Sequence, residues 1–182
     1  MPANTPPARY GALSIALHWL MLVLITAVCL LMELKSLAPR GSAQRATMAH
    51  AHYSLGLAVF VLVWLRLAAR RWGGTPPIEP APTSGQARLA ALAHGLLYGL
   101  MIALPLLGWL TLSAKAEEIP FFQLQLPALV EKSQAGAKWF KEFHEAGATI
   151  GYLLVGLHAA AALYHHHRLR DNTLRRMLPG RR

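Results

Sequence analysis

Four stretches of this chain carry no Asp, Glu, Lys or Arg: Gly11–Met32, Ala46–Leu65, Leu89–Ala114 and Ala146–His167. Each is about as long as the ~20 apolar residues that a helix needs to cross a bilayer. Inside lipid, every backbone N–H and C=O must be bonded within the protein, so windows of this length are expected to be helical. Elsewhere charge is sparse, 14% of residues against roughly 25% in a soluble domain. The expectation is an all-α fold, a four-helix transmembrane bundle. It forms one domain over residues 1–182, with spans at approximately 11–32, 46–67, 89–114 and 146–167.

The formal net charge of +10 raises the question of a nucleic-acid partner, and the placement of the charge answers it. One side of the four-span layout holds Arg9, Arg66, Arg70, Arg71, Arg88, Arg168, Arg170, Arg175, Arg176, Arg181 and Arg182, against only Glu79 and Asp171. The other holds Lys35, Arg40, Arg45, Lys115, Lys132, Lys138 and Lys141, nearly balanced by Glu33, Glu117, Glu118, Glu131, Glu142 and Glu145. Such an asymmetry fits the positive-inside rule with both termini cytoplasmic. The arginines therefore read as topology signals in an integral membrane protein, and no nucleic acid is expected.

Cys29 lies within the first span, cannot form an internal disulfide, and reads as a small buried apolar residue. That span is too long for a signal-peptide core, and no small-residue cleavage site follows it. Met1 to Arg9 is a polar lead with three prolines, expected to be disordered. Trp72 and its preceding arginines should anchor span two at the interface. The proline-rich stretch Gly73 to Pro82 cannot be helix and should be a stiff surface connection. Pro105 is expected to kink span three. From Lys115 to Phe143 runs the largest loop. Its Phe121, Phe122, Trp139, Phe140 and Phe143 suggest a segment along the membrane surface.

Nine histidines carry the chemistry: His18, His50, His52, His94, His144, His158, His165, His166 and His167. A single histidine in a span can simply bond a neighbouring helix, so the joint pattern matters more than any member. His144 and His158 are fourteen residues apart, about 21 Å along a helix and about 40° short of four turns. Both therefore face one interior, near opposite membrane surfaces. His52 is level with His144, and His18 is level with His158. Two pairs at two depths suit two haems, because haem iron takes axial imidazoles from opposite sides of its ring. Zinc would need three or four ligands at one point. Gly56, Gly147 and Gly156 are small residues beside these ligands that would let a macrocycle approach the backbone. His94 is also level with His18 and His158, and depth leaves it open as a ligand. His165, His166 and His167 point in different directions; His166 and His167 read as interfacial, and His50 as exposed.

Several stretches resemble the bacterial cytochrome b561 family. They are Ser14-Ile15-Ala16-Leu17-His18-Trp19, His52 four before Gly56, His94-Gly95-Leu96-Leu97-Tyr98, and His144-Glu145 leading to Gly156-Leu157-His158. The tail from Asp171 to Pro179 is similar to the superoxide oxidase branch of that family, and the likeness runs from about Arg9 to Pro179. It implies a four-helix bundle binding two b-type haems, with His18 and His158 as axial iron ligands on the cytoplasmic side. His52 and His144 would be the ligands on the periplasmic side. It further implies a ubiquinone site near the inner haem, with His94 and His165 as candidates.

The activity so implied is oxidation of superoxide at the periplasmic face, with electrons passed through both haems to ubiquinone. Lys35, Arg40, Arg45, Lys132, Lys138 and Lys141 could steer the superoxide anion, although interspersed glutamates equally describe a solvated loop. Short loops favour a stand-alone oxidoreductase with no obligatory protein partner. The alternative is a haem b anchor subunit of a hydrogenase- or formate-dehydrogenase-like complex, which would need a docking patch. A histidine-lined proton or metal carrier is disfavoured, as the spans lack Asp and Glu.

Overall fold

The computed structural model describes residues 9–180. Its frame is four helices: α1 Ala12–Leu37, α2 Ala43–Gly73, α3 Ser84–Lys115 and α4 Gln134–Tyr164. By length and apolar composition each can cross a membrane. All four run beyond the charge-free windows, and local caps explain the three early starts, those of α2, α3 and α4. The Ser42 side chain accepts from the Arg45 N–H, Thr83 and Gln86 form a reciprocal capping box, and Ser133 accepts from the Gly136 N–H. Arg45 also donates to the Lys35 and Ala38 carbonyls, 2.8 and 3.0 Å away, closing the end of α1.

The largest departure from the sequence reading is at α4, which begins about three turns before the expected span. Trp139, Phe140 and Phe143 therefore belong to this helix rather than to a surface segment. The cause is helical spacing: Lys138–Glu142 and Lys141–Glu145 pair at 3.9 and 3.0 Å, and Trp139 stacks on Phe143. The rest of the loop folds back onto the bundle. A two-stranded hairpin, β1 Pro120–Phe121 and β2 Leu124–Gln125, is held by Ser54, whose hydroxyl donates to the Pro120 carbonyl and accepts from the Phe122 N–H. Helix α3 runs unbroken through Pro105.

The helices pack as two hairpins, α1 along α2 and α3 along α4, joined mainly where α2 meets α3. Met21, Val59 and Val63 form one core cluster, and Leu57, Leu112 and Ile119 form a second nearer the loops. Over its 31 residues α4 buries only Ala137. Large apolar side chains such as Leu13, Val23, Leu153 and Leu163 face outward, as a lipid-facing surface requires.

At the arginine-rich end the tail is part of the fold. After α4 a π-helical turn, His165–Leu169, ends at Arg170 in a left-handed conformation, which turns Asp171 back onto His165. The Asn172 N–H donates to the Glu79 carbonyl at 3.1 Å, and the Glu79 N–H donates to Asn172 Oδ1 at 3.0 Å. Arg176 is buried, donates to the Pro76 carbonyl and lies over the Tyr10 ring. Trp19 donates to the Met177 carbonyl at 2.7 Å. The expected stiff connection is thus pinned by the tail. Arg9, expected in a disordered lead, donates to the Leu178 and Gly180 carbonyls; the lead's other residues, 1–8, lie outside those described.

Burial pushes the Asp171 carboxyl up, but hydrogen bonds from His165 and Thr173 outweigh this and hold it below its usual range. A depressed carboxylate stabilises the docked tail above its unfolded pKa, and that contribution is lost as pH falls through the folded value. Asp171→Ala is expected to weaken docking by about 1–3 kcal/mol, the usual cost of stranding a buried partner. The measurement is the rate of tryptic cleavage at Arg175 in detergent. It should rise in the variant at neutral pH, and an unchanged rate would show that the contact does not hold the tail.

Candidate functional site

Inside a span, a histidine ring nitrogen needs a partner, and two of the expected ligands find one on the neighbouring helix of their own hairpin. His52 on α2 has Nδ1 3.0 Å from the Val28 carbonyl of α1. His144 on α4 has Nδ1 2.8 Å from the Leu104 carbonyl of α3. A carbonyl can only accept, so both Nδ1 atoms carry the proton and both Nε2 atoms are left as free bases, the form a metal takes. The two rings face each other across the hairpins, with centroids 6.1 Å apart.

Near the other end of α4, His18 of α1 and His158 have ring centroids 6.3 Å apart. The rings of each pair are thus near enough that both could hold one metal-bearing group between them. Each pair also joins a helix of one hairpin to a helix of the other. Among the described residues no three His, Cys, Asp or Glu side chains cluster as a metal ion held by side chains alone would need. The facing imidazole pairs therefore fit haem better than a metal ion held by side chains alone.

The glycines divide. A Cβ added at Gly56 or Gly156 would meet nothing within 4 Å, in keeping with room for a flat group. At Gly147 it would come within 2.7 Å of Leu104 Cδ2, so this glycine gives Leu104 of α3 its place against α4. Gly108, which the sequence reading did not single out, lies beside the ring, where an added Cβ would be 3.5 Å from His144 Cε1.

His94 stands next to the inner pair, its ring 5.3 Å from that of His158 and its Nδ1 2.6 Å from the Ala90 carbonyl. Its ring is thus closer to that of His158 than the ring of His18 is. His165 belongs instead to the tail: its Nδ1 is 2.5 Å from Asp171 Oδ2. His50 and His167 are exposed, and His166 is half-buried against His167.

Sequence reasoning missed two charged groups. Asp171 was counted toward topology and as the start of the tail motif, with no partner assigned, yet it is buried on His165. Arg66 was read as an interfacial anchor, whereas its Nη2 lies 2.7 Å from His18 Nδ1. The available signal was its depth, one helical turn further into the span than Arg70 and Arg71. Of the steering candidates, Lys132, Lys138 and Lys141 line one open pocket with Lys115 and Glu117, while Arg45 is occupied at the end of α1.

Residues 9–180 match the family described as prokaryotic cytochrome b561. The chain is 36% identical to cytochrome b561 homolog 1 of Escherichia coli over 174 residues, covering 96% of this chain and 99% of that protein. It is 37% identical to the probable superoxide oxidase CybB of Yersinia pestis, covering 96% and 98% of the two chains. To cytochrome b562 of Cereibacter sphaeroides it is 31% identical, covering 97% of this chain and 99% of that protein. With four apolar helices and a match over nearly its whole length, the chain belongs to the prokaryotic cytochrome b561 family, multi-pass membrane proteins that carry b-type haem.

Proposed function

We propose that this chain oxidises superoxide at the loop end of the bundle and delivers the electrons, through two b-type haems, to ubiquinone at the arginine-rich end. The observation that carries the reading is the doubled pair. His52 with His144, and His18 with His158, are each spaced for one iron and share helix α4. The likeness to a probable superoxide oxidase supports the choice of donor. The distribution of arginine supports a periplasmic loop end and cytoplasmic termini in a bacterial inner membrane. Bound haem would supply one-electron redox chemistry. Two superoxide anions lose one electron each to become dioxygen, and one quinone takes both electrons and two protons to become quinol.

The chain's own residues then position and screen. The Val28 and Leu104 carbonyls fix the tautomer and orientation of His52 and His144, a partner arrangement that also makes an imidazole a richer ligand. His94 has Nδ1 committed to the Ala90 carbonyl, so its Nε2 is the atom available to a quinone oxygen near the inner pair. His165, bonded to Asp171, is the second candidate, as a group that can hold a proton at the same end. Lys115, Lys132, Lys138 and Lys141 share one pocket at the loop end and would attract an anion there, with Glu117 the opposing charge.

The purified protein should contain two haems per chain. His52→Ala or His144→Ala should remove one, His18→Ala or His158→Ala the other, and His94→Ala neither, read by haem-to-protein ratio. Full haem content in any of the four ligand variants would refute the assignment of that residue. In rapid-mixing absorbance, a superoxide pulse should give a reduced b-type spectrum, which ubiquinone then reoxidises. A haem spectrum that ignores superoxide would favour the anchor-subunit alternative. Reversing Lys132, Lys138 and Lys141 together to Glu should slow superoxide-driven reduction by about tenfold or more at low salt, with haem content unchanged. An unchanged rate would remove steering from the mechanism.

A further inference from the structure

Arg66 and Arg70 lie on the core side of α2. They follow Val59 and Val63 by seven residues each, about 20° short of two helical turns, and those valines are buried in the first core cluster. Val61, Trp64 and Leu65, all exposed, mark the lipid side of the same helix. Both guanidiniums accordingly reach the Tyr98 ring of α3, 5.4 and 5.9 Å from its centre, and Tyr98 packs on the same cluster.

Neither guanidinium has a carboxylate within ion-pair distance among the described residues. Arginine keeps its charge in a protein, and a charge turned into a membrane bundle is usually paired. A ring face attracts a cation without neutralising it. The acidic side chains expected at this end are Glu79 and Asp171, and neither pairs with an arginine. At the loop end, by contrast, Lys115, Lys138 and Lys141 each have a glutamate partner. The chain thus gathers two inward cations at the inner pair and supplies no anion for them.

Arg66 has one polar contact, from Nη2 to His18 Nδ1 at 2.7 Å. A guanidinium can only donate, so in this contact Nδ1 accepts and the proton of the neutral ring is on Nε2. A neutral ring that binds iron through Nε2 carries its proton on Nδ1. The contact and iron ligation at His18 therefore exclude each other, and ligation frees Arg66 for an oxygen acceptor. Haem brings such acceptors with its iron: it carries two carboxylates on one edge, and a guanidinium meets a carboxylate with paired hydrogen bonds.

We propose that Arg66 and Arg70 bind the carboxylates of the inner haem and so turn that edge of the cofactor toward α2 and Tyr98. The inference rests on the reading of His18 and His158 as haem ligands and goes beyond it by assigning a second set of contacts. The inward face of both arginines favours this ligand over a lipid phosphate, which would approach from the lipid side of α2.

The test is haem retention by the detergent-purified protein, read as the rate of haem loss to excess apomyoglobin. Haem-to-protein ratios come first: His52→Ala should keep one haem, the inner one, and a haem-free His52→Ala protein would refute the ligand reading instead. In that background Arg70→Gln and Arg66→Gln should each speed loss of the remaining haem by about tenfold or more, the usual weight of a hydrogen bond to a charged group. Arg70→Lys, which keeps the charge, should recover part of the difference. In His18→Ala, which keeps only the outer haem, neither substitution should change the rate. The same measurements are then repeated after reconstitution with haem dimethyl ester, whose carboxylates are masked. The ester should leave the unsubstituted inner site as fast as natural haem leaves the arginine variants, and the substitutions should add little. Natural haem lost at an unchanged rate from both variants overturns the proposal. So does an equal acceleration with the ester, which would assign the arginines to the fold or to a lipid phosphate. Arg70 is exposed, so its variant decides alone where Arg66→Gln disturbs folding.

Discussion

A ring nitrogen inside lipid has no water to bond, and this constraint organises the bundle more than any packing contact does. His52 and His144 meet it in the same way, by turning Nδ1 onto a carbonyl of the adjacent helix. Each bond lies within one helical hairpin, α2 to α1 and α4 to α3, and so helps to hold that hairpin together. It also aims the second nitrogen of the same ring at the other hairpin. Local satisfaction of a polar group thereby creates the long-range feature, two opposed imidazoles with centroids 6.1 Å apart. The apolar core is modest by comparison: two small clusters, and an α4 that buries little of itself.

Much of this was legible in the sequence because the membrane simplifies the code. Absence of charge over about 20 residues gives a span, and helical rise then converts position along the chain into depth. The levels of His18, His52, His144 and His158 followed from that arithmetic, and the structure brings those rings together in the expected twos. Depth arithmetic fails where the chain leaves the bilayer. The early start of α4 depended on i,i+4 ion pairs and a Ser133 cap in a segment whose aromatics suggested the membrane surface. That Gly147 makes room for Leu104 was not legible, because a glycine next to a histidine does not reveal which neighbours use its space.

The charged residues were the least legible. Counting arginines by side treats each as a topology mark, and most of them are that. Arg66 and Arg176 differ only in where their side chains go: one enters the bundle toward His18, the other is buried beneath the Pro76 carbonyl. Asp171 is visible as a partner of His165 only once the π-helical turn is known, since an α-helical continuation would carry it elsewhere around the axis. These residues are distant in sequence from what they touch, and no periodicity links them.

Helix α4 supplies one member of each histidine pair. In chain order it is the last of the four helices described, with the tail that folds under the arginine-rich end behind it. Neither pairing of rings can form until that helix lies beside the first two. Chain order therefore gives assembly an order: α1 and α2 can close their hairpin by themselves, through His52 and Val28, whereas each meeting of rings across the hairpins waits for α4.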